Sequence, residues 1–154
     1  MEIVSVIDTK KLGHLMPHRD PMIWVDNVLS FSEHTGEFSV TLKSDRPYFQ
    51  NKDLIQSFYL EFLAQGYGFV KAAYVDSQIE NLNIKMDKAL IPMIDKYDVM
   101  PEAMNIKEQD IVFGEVKTIR DLFPLFLVEA NAFDENKRLL ANARFKVFSV
   151  VEEL

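Results

Sequence analysis

Glu61 is a single carboxylate near the middle of an apolar run of helix length, Leu54 to Val75, LIQSFYLEFLAQGYGFVKAAYV. A helix apolar on nearly every face belongs inside a domain, where an ionised acid is costly unless it is paired or put to use. At helical spacing Ser57, Glu61, Gln65, Gly68 and Ala72 share one face, polar toward the amino end and small beyond it. Two readings follow from that pattern. In one, the small residues let a strand pack closely, and Glu61 and Gln65 are satisfied by backbone groups or an arginine. In the other, Glu61 is a general acid or base on the floor of an apolar tunnel, where desolvation raises its pKa toward a useful value.

The remaining reactive side chains are few. Of the three histidines, His34 stands in a turn next to Gly36 and is expected at the surface, whereas His18 is pinned between Pro17 and Pro21 and can be held rigidly. No two histidines sit at i, i+4 with a nearby acid, so the spacing offers no zinc or iron site. No Gly-x-Ser-x-Gly elbow supports a serine triad, and the 5 glycines form no phosphate-cradling loop. No cofactor or metal is expected. With no cysteine there is neither a disulfide nor a thiolate nucleophile. A formal charge of -7, from 17 basic against 24 acidic side chains, argues against a nucleic-acid partner. No apolar run is a convincing membrane span and the amino end lacks a signal-peptide pattern, so a soluble, cytoplasmic protein is expected.

The elements that must position Glu61 come from a chain whose 154 residues, 48% hydrophobic, suit one domain, 1–154. An extended N-terminal piece leads to a helical turn over Lys10 to Leu15, with Thr9 as its cap. Met22 to Phe31 reads as a strand interrupted at Asp26-Asn27. Glu33 to Gly36 turns into a cleanly alternating strand, Glu37 to Lys43. Ser44 to Asp53 is a loop in which Asn51 or Asp53 could cap the long helix, and Asp76 to Ala89 stays open between a helical extension and a connector. Strand patterns return at Leu90 to Met100, Asp110 to Ile119, Leu122 to Phe133 and Leu139 to Val150, the last three as a meander. Gly114 marks a bulge or a close backbone approach. A hairpin, one helix buried on all faces and four antiparallel strands make an α+β hotdog, a curved antiparallel sheet wrapped around one long central helix.

Two stretches carry a family resemblance. Leu15 to Leu29, LMPHRDPMIWVDNVL, resembles the leucine-proline-histidine-arginine-x-proline signature of the (3R)-hydroxyacyl-acyl-carrier-protein dehydratases. Leu60 to Gly66, LEFLAQG, is similar to the leucine-glutamate-x-x-alanine-glutamine of their catalytic helix, and Ala143 to Phe148 is similar to their last strand. The resemblance implies a hotdog dimer that holds an acyl chain, tethered as a thioester, along the central helix. In such enzymes a histidine removes the proton α to the thioester carbonyl and a helix carboxylic acid protonates the leaving hydroxyl. Glu61 maps onto the acid. The family's glycine-histidine-phenylalanine-proline loop has no counterpart in Tyr48 to Leu54, YFQNKDL. In this respect the chain looks closer to the divergent dehydratase-like proteins of aryl-polyene type lipid clusters. The expected catalytic residues are therefore Glu61 and His18, with His18 as replacement base, and Ser57, Gln65, Gly68 and Pro17 are expected at the acyl site. Expected partners are an acyl-carrier-protein or coenzyme A thioester and a second hotdog subunit, identical or related. Two alternatives stand beside dehydration: a catalytically impaired partner of an active dehydratase, and an acyl thioesterase, which needs no histidine. Docking of an acidic carrier would use a basic patch such as Lys85, Lys88, Arg144 or Lys146.

Overall fold

The computed structural model describes residues 3–16, 19–78 and 84–153. Strand β1 (Ile3–Asp8) runs into a 3-10 turn (Thr9–Leu15), followed by β2 (Asn27–Phe31) and β3 (Thr35–Thr41). A two-residue pair, β4 (Phe49–Gln50) and β5 (Asp53–Leu54), precedes the helix α1 (Phe58–Gln78). Then come β6 (Ile84–Val99), a short 3-10 turn (Pro101–Asn105), β7 (Ile111–Leu122), β8 (Leu125–Phe133) and β9 (Leu139–Glu153). Seven strands form one antiparallel sheet in the order β1-β2-β3-β7-β8-β9-β6, and α1 packs on one face of it. This is the hotdog architecture.

The period of the sheet follows from its residues. Along β8 the alternate residues Phe126, Val128, Ala130 and Ala132 are buried, while Glu129, Asn131 and Phe133 point the other way. One face can therefore take a helix. Contact between helix and sheet is tightest around Phe38, whose ring is fully buried and meets Phe62 with centroids 5.0 Å apart. A Cβ added at Gly66 on α1 would lie 2.0 Å from that ring, and one at Gly114 on β7 would lie 2.3 Å from it. Gly114 thus marks a close approach and not a bulge; the irregularity in β7 falls between Thr118 and Arg120.

Several element boundaries differ from the sequence expectation for local reasons. The helix starts at Phe58 rather than Leu54, because Asp53 and Leu54 pair back onto Phe49 and Gln50 through a turn with Asn51 and Lys52 at φ 52 and 71. Neither Asn51 nor Asp53 caps the helix. Thr9 does not cap the first turn either: the Asp8 carboxylate accepts from the Lys10 N–H (2.9 Å), and the Thr9 hydroxyl donates to the Val25 carbonyl (2.7 Å). Strand β2 begins only at Asn27, because the Asp26 carboxylate turns to accept the Thr41 N–H (2.8 Å). The helix continues to Gln78, and β6 opens at Ile84, ahead of the expected Leu90. Among the described residues no helix is long and apolar enough to cross a membrane.

Candidate active site

Glu61 lies in the first turn of α1, its N–H on the Ser57 carbonyl at 3.3 Å. The positive end of the helix dipole favours a carboxylate there. One turn later Gln65 is 1% exposed and its amide is fully engaged. Nε2 donates to Glu61 Oε1 (2.9 Å) and to the Met22 carbonyl (2.7 Å), while Oε1 accepts the Trp24 N–H (2.8 Å). One buried amide thereby fixes the carboxylate and also ties the segment after the proline-bracketed motif to the helix. Arg19, in that motif, donates to the carbonyls of Met16 (2.7 Å) and Gly13 (3.3 Å), and Asp20 pairs with Arg46 at 3.2 Å.

Trp24 closes the space beneath. Its indole N–H donates to the Pro21 carbonyl (3.2 Å), its ring stacks on Phe58 at 5.9 Å, and it meets Tyr48 edge-on at 5.3 Å. Phe58 in turn stacks on Phe62 at 5.5 Å. Above this aromatic column a cavity of about 320 Å³ is lined by Met22, Trp24, Ser57, Leu60 and Glu61. It presents a half-buried carboxylate and the Ser57 side chain to a hollow whose other walls, Met22, Trp24 and Leu60, are apolar. The carboxylate can exchange a proton with a ligand while Gln65 holds its orientation.

Of the residues singled out from sequence, Glu61, Ser57 and Gln65 come together here. Ser57 is exposed at the rim, just ahead of the helix, and Gln65 sits buried behind the wall, its hydrogen bonds spent within the protein. Gly68 is placed elsewhere: it faces Met16, whose methyl would be 2.7 Å from an added Cβ, and it does not line this cavity. Pro17 and His18 lie outside the described residues. Trp24, Met22 and Leu60 were not singled out. Only Trp24 carried a signal, as the single tryptophan, three residues beyond Pro21.

Of the proposed basic patch, Arg144 is engaged with Glu129 at 2.7 Å and Lys146 lies beside Met93, both on the sheet face turned away from α1. The side chains of Lys85 and Lys88 lie outside the described part. A second polar cluster forms where Glu33, His34 and Asp121 bring one ligand atom each within 4.8 Å of the others. His34 is thus half-buried rather than fully exposed. Lys71 serves this cluster, donating to the Glu33 carbonyl and lying 4.9 Å over the Phe126 ring. Burial pushes the Lys71 ammonium pKa down, and Asp121 and Glu33 counter that shift. Lys71 stands ten residues beyond Glu61, roughly 15 Å along the helix.

A family model described as ApeP dehydratase, of the ApeP-like family, matches residues 10–153. A search of the curated proteins finds no significant match. Among solved structures, the dehydratase heterocomplex ApeI:P from Xenorhabdus doucetiae is similar with a TM-score of 0.78 at 14% identity, over 90% of this chain and 90% of that one. The smu.793 protein of Streptococcus mutans, bound to acetyl CoA, gives 0.59 at 14% identity over 92% and 99%. A hypothetical thioesterase with coenzyme A from Streptococcus pneumoniae gives 0.57 at 9% identity over 95% and 99%. At these identities the structures establish a shared hotdog fold and nothing finer. The family model spans nearly the whole chain, including the helix that carries Glu61 and Gln65 and the segment they hold, and the chain belongs to the ApeP-like dehydratase family.

Proposed function

We propose that this protein removes water from a 3-hydroxyacyl thioester, with Glu61 as the general acid. The observation that carries this reading is the Gln65 amide, which holds Glu61 Oε1 and the Met22 and Trp24 backbone at once, beside a cavity that Glu61 lines. A base takes the proton α to the thioester carbonyl, the electron pair forms the α,β double bond, the β carbon–oxygen bond breaks, and Glu61 gives its proton to the departing hydroxyl. The Gln65 amide holds Oε1 and so sets the orientation in which Glu61 delivers that proton. Met22, Trp24 and Leu60 give the cavity apolar walls for the acyl chain. His18, two residues after the buried Met16, is the proposed base.

Similarity to a structure described as a dehydratase heterocomplex supports a second arrangement, in which a related hotdog subunit completes the site. The absence of a histidine from Tyr48 to Leu54 favours it. The test supplies the protein with 3-hydroxyacyl and saturated acyl thioesters, following enoyl absorbance and free thiol together. Enoyl formation without thiol release is expected. Turnover that appears only after adding a related hotdog subunit selects the second arrangement, and thiol release from the saturated thioester replaces both with thioester hydrolysis.

A further inference from the structure

The sheet face turned away from α1 carries a pattern of side chains for which the Glu61 cavity has no use. Cross-strand register sorts them into rows. The first is apolar: Phe113, Phe133 and Leu139 in line, with Leu29 beside them. The second is acidic: Glu37, Glu115 and Asp98, with Asn131 and Asn142 between. The third is basic: Lys117, Arg144 and Lys96 around the single acid Glu129. In the fourth, Ile119 and Arg120 at a bulge, Leu127 and Met93 are joined by Lys146.

Within one chain this order is compensated only in part: Arg144 pairs with Glu129 at 2.7 Å and Lys96 with Asp98 at 3.4 Å, while Glu37, Glu115 and Lys117 make no ion pair among the described residues. Glu37 and Glu115 are direct cross-strand partners, an unfavourable like-charge pairing, and Glu115 receives only the Asn131 amide at 3.2 Å. A hollow of about 500 Å³ lies over Leu29, Phe113 and Phe133, and an adjoining one of about 240 Å³ shares Glu37 and Glu115 with it.

We propose that a second copy of this chain docks on this face, about a two-fold axis that lies in the interface and crosses the strands between the second and third rows. An isologous contact of that kind sets the acidic row of each copy on the basic row of the other, Glu115 opposite Lys117 in both directions. It also sets the first row on the fourth, so that Ile119 and Leu127 of one copy fill the hollow over Phe113 and Phe133 of the other. Two sheets packed face to face about 10 Å apart interdigitate in this way. An axis along the strands would lay each row on itself, acid on acid. The charges choose the register, and the apolar side chains of the first and fourth rows, with the aliphatic stems of Arg120 and Lys146, supply the area.

The chain has no cysteine, which makes the contact directly testable. Sheets about 10 Å apart hold facing Cα atoms too far apart for a direct disulfide, so the reagent is a bis-maleimide of about 10 Å span. A mixture of Glu115→Cys chains with Lys117→Cys chains is expected to yield a cross-linked dimer, with each variant alone giving several-fold less. In sedimentation, Glu115→Lys is expected to raise the dissociation constant of this contact about tenfold, and the swap Glu115→Lys with Lys117→Glu to restore most of it. Absence of the specific cross-linked dimer, or a charge swap no better than the single reversal, overturns the proposal. The cross-link reports on this face whatever other contacts the subunits make, and neither residue belongs to the Glu61 site.

Discussion

Gln65 decides how much of the proposed chemistry the residue scale can support. A glutamate one turn into a buried helix can swing among rotamers, but the Gln65 amide removes that freedom at 2.9 Å and is itself fixed by the Met22 carbonyl and the Trp24 N–H. Gln65→Leu leaves the buried Trp24 N–H and the part-buried Met22 carbonyl without this partner and is expected to cost roughly 2–4 kcal/mol of unfolding free energy, measured in urea. Gln65→Glu retains acceptor oxygens but sets a second acid against Glu61, so turnover is expected to fall more than stability does. Pairing of Glu61 with Gln65 was legible from their spacing of four. The wider role of Gln65 was not, because its other two bonds reach 43 and 41 residues back along the chain. Trp24 was likewise visible as a residue and invisible as the floor of a cavity.

At the scale of elements, the close approach of α1 to β7 rests on two glycines against one ring. Gly66→Ala places a methyl 2.0 Å from Phe38, with Gly114 equally tight on the other side, so the ring has nowhere to retreat. The expected loss is about 3 kcal/mol or more, read from the thermal midpoint, and Gly66→Ala with Phe38→Leu is expected to recover part of it. Helix, hairpin and meander could be read from their periodicity, while Gly114 was legible only as either a bulge or a close approach, and it is the close approach. The helix starts later than the apolar pattern suggests because Leu54 is still paired in β5 and Ile55 to Ser57 form a separate turn, with the Phe58 N–H on the Ile55 carbonyl at 3.0 Å. Strand β6 was read too short because it pairs on one side only and its register shifts between Met86 and Lys88, Leu90 and Met93, and Ile94 and Lys96, which breaks the alternation. The β8–β9 turn, in the gap between the meander strands read at Leu122 to Phe133 and Leu139 to Val150, is held by a local device. There Asp134 accepts the N–H groups of Asn136 and Arg138 (2.8 and 2.9 Å) and the Arg138 guanidinium (2.8 Å). Burial raises the Asp134 pKa, but these donors and the positive charge outweigh it, and the net shift is downward. A folded pKa below the unfolded value means that the contribution is fully present above about pH 4 and fades as pH falls through the folded value. Asp134→Ala should therefore melt below the parent protein at neutral pH, and the gap should close in strong acid.

For the whole molecule, the antiparallel sheet gives its two faces different tasks. The inner face, with α1, builds a core that buries the aromatic column under Glu61, while the outer face is sorted into charged and apolar rows. Family membership and fold agree on an acyl-thioester protein of the dehydratase kind. The chain has no histidine from Tyr48 to Leu54, and Glu61 is the side chain that gives the proton in the proposed reaction. The most direct test is dehydration of a 3-hydroxyacyl thioester by Glu61→Gln, in whichever subunit composition supports turnover by the parent protein. Gln keeps the shape and a hydrogen-bonding oxygen while removing the transferable proton, so a loss of about 10²-fold or more is expected with the thermal midpoint little changed. Turnover equal to that of the parent protein would contradict the assignment of Glu61 as the acid.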